Sequence, residues 1–399
     1  MSAAPALWIP PPSFLSEPAT AAVLAALPEA RVAGGAVRDA LVGQPVGDID
    51  LATPRPPDAV IQALAAAGIR TVPTGLEHGT VTAVVDGRGI EITTLRRDVE
   101  TDGRHARVEF TDDWWEDAAR RDFTINALSM RPDGTVFDYF GGIEDLRAGR
   151  VRFVGEAARR IAEDYLRILR FFRFFARYGS GTPDPDASAA IRGGLPGLSG
   201  LSAERVWSEL KRILAAPDPV AAVALMAELG VLAATLPEGT DQARLAALVV
   251  AGAPADPLLR LAAIFTGSVD ALADRLRLAN DERARLAALR GDPPPRPQDD
   301  DATLRRMLAD TEPAVLIDRT WLGGDDSAKW AELRARIAAT PRPVFPLEGR
   351  DVLALALPPG PRVGELLREV RAWWMDQGCT PDAAACRREL AERIGRRTT

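Results

Sequence analysis

Apolar and polar positions follow two periods, and the change of period divides the chain. In the first 140 residues, short apolar runs of strand length stand at 31–33, 48–51, 70–73, 79–85, 89–95 and 135–139. Asp86-Gly87 between two of them suits a hairpin turn. Helical segments at 17–27, 36–42, 56–67 and 117–121 are interleaved with these strands. From residue 156 onward the pattern is helical, with helices expected near 199–214, 218–236, 241–251, 256–267, 269–276 and 280–291. DPPPRPQDDDA (292–302) reads as a linker, and helices resume near 302–310, 312–322, 327–339, 350–355, 363–376 and 381–395. Residues 96–111 are polar and carry both charge signs, so a solvated loop is expected there. Residues 141–155 read as a turn-rich connector.

The stretch RVAGGAVRDALVGQPVGDIDLAT (31–53) carries the first chemistry. A strand meets Gly34-Gly35, a helix with Arg38 follows, and GDIDL begins a second strand. Alternation places Asp48 and Asp50 on one strand face, with Ile49 and Leu51 turned to a core. Two carboxylates so close repel unless a cation sits between them, and a hard oxygen-liganded ion, Mg²⁺ above all, suits the pair. Bare backbone at Gly34-Gly35 and the Arg38 guanidinium suit a phosphate. Together these features suggest nucleotidyl or phosphoryl transfer. A DxD pair is also compatible with a solvated turn or a helix cap. The dinucleotide and P-loop fingerprints are absent.

Composition narrows the setting. With 399 residues, 47% hydrophobic and 26% charged, the chain suits two or more soluble domains. No apolar run approaches the ~18 residues of a membrane span. The N-terminus lacks the basic region of a signal peptide. Cys379 and Cys386 are the only cysteines, so a disulfide framework is not expected and a cytoplasmic setting is. His78 and His105 are the only histidines, which excludes His-rich zinc sites and a His-Asp phosphohydrolase domain. Net charge is −7, so any nucleic-acid contact must come from a local basic strip.

Three later segments add candidates. Glu91, between Ile90 and Ile92, is either an edge residue or a third carboxylate facing the DxD pair. In RRDFTINALSM, Arg121 can meet a triphosphate, while Asp122 can meet a ribose, a backbone group or simply cap the next turn. In AEDYLRILRFFRFFARYG, helical spacing sets Asp164 beside Arg167 and Arg170 beside Arg173. That pattern fits either a surface salt bridge or an acceptor and a donor fork reading a base edge. Ser202 is expected to cap the helix before Leu214, and Trp373-Trp374 to join a core.

In order, GGAVRDALVG…GDIDLAT, IEITTLRRDVETDGRHARVEFT, RRDFTINALSM, DYFGGIEDLRAGRVRFVG, EDYLRILRFFRF and LSAERVWSELKRIL cover residues 31–214. As a set they resemble the tRNA nucleotidyltransferase/poly(A) polymerase family, the bacterial and eukaryotic class of CCA-adding enzymes. The resemblance implies an α+β fold: an N-terminal extension (1–28), a nucleotidyltransferase head with a small mixed sheet (29–147), and a helical neck (148–215), body (216–292) and tail (293–399). It implies that Asp48 and Asp50 hold Mg²⁺ with Glu91 as the third acidic residue, and that Gly34, Gly35, Arg38 and Arg121 hold the triphosphate near Asp122. Asp164 and Arg167 would read the incoming base, with Arg170 and Arg173 behind them. The implied reaction adds CTP and ATP units to the tRNA 3′ end, with neither membrane nor DNA as partner. Poly(A) or A-only addition shares these motifs. A DxD glycosyltransferase would leave RRDFTINAL and EDYLRILRFFRF unexplained.

Overall fold

The structure, a computed structural model, describes residues 5–102, 105–291, 293–355 and 358–396. It divides into two units, Met1–Pro237 and Glu238–Thr399.

The first unit opens with β1 (Leu7–Trp8), α1 (Pro18–Ala26), β2 (Arg31–Ala33), α2 (Gly35–Leu41), β3 (Asp50–Thr53) and α3 (Pro57–Ala66). Then come β4 (Arg70–Gly75), β5 (Thr80–Val85), β6 (Arg88–Thr94), β7 (Arg96–Asp102) and β8 (His105–Phe110). α4 (Trp114–Ala119), β9 (Leu128–Met130), β10 (Thr135–Asp138) and α5 (Gly142–Arg147) complete the mixed part. Eight strands form one sheet in the order β1-β10-β9-β2-β3-β6-β5-β4. Only β3 and β6 run parallel, so the sheet is mixed, as expected. β5 and β6 are joined through Asp86 (φ 51°) and Gly87 (φ 78°), the two positive-φ residues a tight hairpin turn requires. Along β3 the alternation holds. Leu51 enters the main core with Val32, Val81 and Ile92, while Ala52 joins a smaller cluster with Ala33 and Leu95 on the other face.

Several expectations change. β3 starts at Asp50, so Asp48 lies in the irregular segment before the strand. Residues 96–110 pair as a two-stranded ribbon, β7 with β8, in place of the expected loop; Gly103 and Arg104 of the TDGRHA stretch lie outside the described residues. The expected connector contains α5, whose start is held by Asp138 accepting from the Gly142 and Ile143 amides at 3.0 and 2.9 Å.

The rest of this unit is helical: α6 (Ala157–Glu163), α7 (Leu166–Tyr178), α8 (Pro185–Gly194), α9 (Ala203–Leu214), α10 (Val220–Glu228) and α11 (Val231–Thr235). The helix expected over 218–236 is thus two, broken at Gly230 (φ 81°). Ser202 occupies the N-cap of α9 without a side-chain capping bond. α7 buries Ile168, Leu169, Phe171, Phe172, Phe174 and Phe175. Phe171 and Phe174 meet Phe123 at 6.3 and 5.2 Å between ring centroids, and Phe123 meets Phe153 at 4.8 Å. Each such buried ring is worth ~1.5–3 kcal/mol, so this aromatic layer fixes α7 against the 122–154 region.

The second unit contains α12 (Gln242–Val250), α13 (Pro257–Ile264), α14 (Val269–Leu276), α15 (Asn280–Leu289), α16 (Asp301–Asp310) and α17 (Pro313–Gly323). α18 (Ala328–Ala339), α19 (Gly349–Leu353), α20 (Pro361–Asp376) and α21 (Ala383–Arg396) follow. Trp374 is core, packed with Leu366, Val370 and Leu390, and Trp373 lies partly buried against it. Cys379 and Cys386 are buried free thiols. Among the described residues, no helix is long and apolar enough to cross a membrane.

Candidate active site

A cleft of about 940 Å³ opens in the first unit, lined by Gly34, Gly35, Asp50, α4's C-terminal end and the polar faces of α7 and α9. Nine arginines line it against three aspartates, Asp50, Asp122 and Asp164. The local sign is therefore the reverse of the chain's net charge, and the cleft attracts polyanions. Gly34 is the N-cap of α2 at φ 70°, ψ −120°, a conformation suited to glycine. A Cβ there would stand 2.9 Å from Arg121 Nη1. α2 has only seven residues, so the anion attraction comes chiefly from guanidinium groups.

Those groups are held from behind. Arg121 donates to Asp117 at 3.1 Å and Arg120 to the same carboxylate at 2.7 Å. Burial pushes the Asp117 carboxyl up, but the two arginines outweigh it and keep it below the usual range. Arg38 donates to Asn126 Oδ1 and lies 2.9 Å from Asp39, stacked over Tyr178 at 4.4 Å from the ring centroid. Tyr178 donates its hydroxyl to Asp39 at 2.6 Å. Asp122 is buried: Oδ1 accepts from the Phe123 amide and from Asn126 Nδ2, both at 2.9 Å, and Oδ2 accepts from Arg170 Nε at 2.8 Å. Arg170 and Asn126 overcome the effect of burial and hold Asp122 below the usual carboxylate range. Of the alternatives for Asp122, the structure shows the neighbouring-backbone one.

The carboxylates converge where the parallel strands meet. Asp50 on β3 is in register with Glu91 on β6. Asp48, Asp50 and Glu91 line a smaller cavity of about 490 Å³, and Asp50 lines both cavities. Asp50 reaches solvent, yet partial burial still pushes its carboxyl up; Glu91 and Asp48 push the same way against Arg121. This surplus of negative charge is what a bound cation relieves. Among the described residues no three acidic, His or Cys side chains form a ready-made metal cage.

On the neck the Asp164–Arg167 salt bridge, one of the two readings of that spacing, does not form. α6 ends at Glu163 and Asp164 is extended (φ −157°, ψ 108°). Its Oδ1 accepts from the Leu166 amide at 3.1 Å and its Oδ2 from Arg205 at 2.7 Å. Arg167 instead pairs with Glu163 and donates to the Arg160 carbonyl at 2.9 Å. Both residues still line the cleft. Burial, then repulsion from Arg170, pushes the Arg173 guanidinium down to about 10, despite Glu209 at 3.2 Å.

Comparison with known proteins adds to this geometry. Residues 30–152 match the model of the "Poly A polymerase head domain", and residues 182–242 that of the "Probable RNA and SrmB- binding site of polymerase A". CCA tRNA nucleotidyltransferase 1, mitochondrial, of Danio rerio is 39% identical over 370 residues, covering 87% of this chain and 83% of the relative. The chain belongs to the CCA tRNA nucleotidyltransferase family. The CCA-adding enzyme of Geobacillus stearothermophilus is 40% identical over 204 residues, 51% of this chain and 49% of that one. The crystal structure of the Bacillus stearothermophilus CCA-adding enzyme in complex with CTP superposes with a TM-score of 0.76 at 28% identity, covering 96% of this chain and 99% of that one. Nucleotidyltransferases of this family use divalent metals.

Sequence reasoning missed the residues that hold the site: Asp117, Asn126, Tyr178, Arg205 and Glu209. Glu209 carried a signal. It sits on the apolar face of α9 beside Val206 and Leu210, and a buried charge there must find a partner. It has two, Arg173 at 3.2 Å and Arg212 at 3.5 Å.

Proposed function

We propose that Asp48, Asp50 and Glu91 form the catalytic acidic group of a CCA-adding enzyme and that its metal is Mg²⁺. The enzyme adds CTP and ATP units to the 3′ end of tRNA without a template. The tRNA 3′-hydroxyl attacks the α-phosphorus, the bond to the bridging oxygen breaks, and pyrophosphate leaves. The observation that carries the assignment is Asp50, in register with Glu91 and facing both the acidic cavity and the arginine-lined cleft. A divalent ion bound there would lower the pKa of the attacking hydroxyl and offset charge on the triphosphate.

The chain's own groups do the positioning. Gly34 and Gly35 leave room for phosphate, and Arg38 and Arg121 bind it, each already oriented by Asn126. Asp164 accepts from the exocyclic amine of C or A, and Arg167 donates to the adjacent ring nitrogen. Guanine and uracil present a carbonyl where the amine should be. Arg170 and Arg173 stand behind the pair, Arg170 tied to Asp122. Residues 29–147 then act as head, 148–215 as neck, and 216–292 and 293–399 as body and tail that grip tRNA. A cytoplasmic setting accords with two buried free thiols.

The test uses tRNAs ending before CCA, after C and after CC, with labelled CTP or ATP and sequencing of the 3′ ends. The wild-type chain should complete all three. Asp50→Asn should lose at least about 100-fold in rate, the equivalent of ~3 kcal/mol of charge stabilisation, while still binding tRNA. Extension of only the CC-ending tRNA would establish A-only addition. A near wild-type rate for Asp50→Asn would refute the site.

A further inference from the structure

The second unit neutralises its arginines with care. Arg275 pairs with Glu238 at 2.6 Å, Arg283 with Asp270 and Asp274 at 2.7 Å, and Arg285 with Asp256 and Asp318 at 2.8 and 2.9 Å. Arg244 and Arg290 depart from that pattern. The Arg244 guanidinium makes no hydrogen bond or ion pair among the described residues. Arg290 donates to the Phe265 carbonyl and lies 5.4 Å from that ring's centroid, but has no carboxylate partner among them. Both line a cavity of about 260 Å³ bounded by α12, α13, the end of α15 and α17. Partial burial and then repulsion from Arg244 hold the Arg290 guanidinium below its ordinary value. Arg319, which donates to the Ala288 carbonyl at 2.7 Å, lines the same cavity, so three like charges face it without a described acidic side chain in its lining, a setting that favours an anion.

The cavity also states what kind of anion. It is smaller than the ~300–1,000 Å³ of a pocket that encloses a whole small molecule. Its described lining has no aromatic ring to stack a base; Ala262, Leu289, Pro294 and Leu322 supply its apolar wall. Gly291 leaves space on one side: a Cβ there would meet Arg319 Nη2 at 2.5 Å. Guanidinium forks match phosphate oxygens in geometry as well as charge. We propose that Arg244 and Arg290 bind a phosphodiester group of the tRNA backbone, a second anion site carried by the C-terminal unit. The choice of tRNA over a free nucleotide rests on the function proposed above; the phosphate chemistry does not.

The experiment measures the Kd of the full chain for fluorescent tRNA lacking CCA across a salt series, and the KM for CTP. Variants are Arg244→Gln and Arg244→Gln/Arg290→Gln, each checked against the wild-type melting temperature. The double variant should weaken tRNA binding about tenfold at low salt and reduce the slope of log K against log salt by about one. The KM for CTP should not move, and different tRNAs should lose affinity alike. An unchanged Kd and slope in a stable variant would overturn the proposal. A raised KM for CTP with unchanged tRNA affinity would also overturn it and assign the cavity to free nucleotide. Should the double variant fail to fold, Arg244→Gln alone decides, because its guanidinium makes no hydrogen bond or ion pair among the described residues. Failure of the functional reading is separate: the wild-type chain would then add neither C nor A.

Discussion

Asp122→Asn isolates the group that ties the head to α7. Asp122 accepts on both oxygens: the Phe123 amide and Asn126 Nδ2 on Oδ1, Arg170 Nε and Nη2 on Oδ2. An asparagine has the same shape but one acceptor oxygen. If it turns that oxygen to Arg170, its own NH₂ faces two donors. If Asn126 flips to compensate, its NH₂ faces Arg38, which now bonds its oxygen. No rotamer satisfies the group. Breaking a buried charge pair costs about 3–5 kcal/mol, and hydrogen bonds to charged groups about 1.5–3 kcal/mol each. The Arg170 side chain is 32% exposed, so the ionic loss falls below that range. A total near 3 kcal/mol follows, and the first unit should melt about 6–12 °C lower. The KM for CTP should rise about tenfold, because Arg38 and Arg170 both line the cleft. The pH dependence has a definite sign. Asp122 is depressed in the folded state, so its contribution is complete above the unfolded value near 4 and is lost as pH falls through the folded one. The gap in melting temperature between wild type and variant should therefore close on acidification below about pH 4. Melting within about 2 °C of wild type at neutral pH, with unchanged KM, would refute the network.

Two further substitutions probe the cleft. Gly34→Ala places a Cβ 2.9 Å from Arg121 Nη1 at φ 70°, with a backbone penalty of ~1–2 kcal/mol; the KM for both nucleotides should rise while tRNA affinity holds, and an unchanged KM would remove Gly34 from the triphosphate site. Asp164→Asn keeps an acceptor for the Leu166 amide but loses the charge, so it and Arg167→Ala should each relax discrimination against UTP and GTP by about tenfold in single-nucleotide incorporation; wild-type selectivity in both would move base choice elsewhere on the neck.

Most elements were legible because burial imposes a period. β2, β3, β5, β6, β10 and nearly all helices after 156 present buried apolar positions to a core, and that pattern is written in the residues, whereas β4 has no buried position and β9 was not expected. The β7–β8 ribbon was not, because RRDVETD and HARVEF carry no continuous apolar face and are strands only through mutual pairing. The break at Asp164 was hidden for another reason. Nothing in AEDYLRIL forbids a continuous helix; the break comes from the Asp164 side chain competing for the Leu166 amide and from Arg205, forty-one residues away. Acceptors such as Asn126 and Glu209 are short-range polar residues whose partners are set by the tertiary fold alone.

That hidden break bears on base choice. Had Asp164 and Arg167 formed an i,i+3 salt bridge, each would have consumed the other's charge, and any ligand would have had to displace the bridge. In the observed arrangement their side chains have separate partners, Arg205 and the Leu166 amide for Asp164, Glu163 and the Arg160 carbonyl for Arg167, while the Arg167 amide donates to the Asp164 carbonyl at 3.0 Å. A carboxylate has about four acceptor positions and a guanidinium five N–H donors, so both keep capacity for a ligand. A rigid salt bridge would present one fixed pattern. On the base-reading role proposed above, an acceptor whose side chain is tied to Arg205 and a donor tied to Glu163 would offer a pyrimidine or a purine edge two separate groups, as addition of C and then A demands.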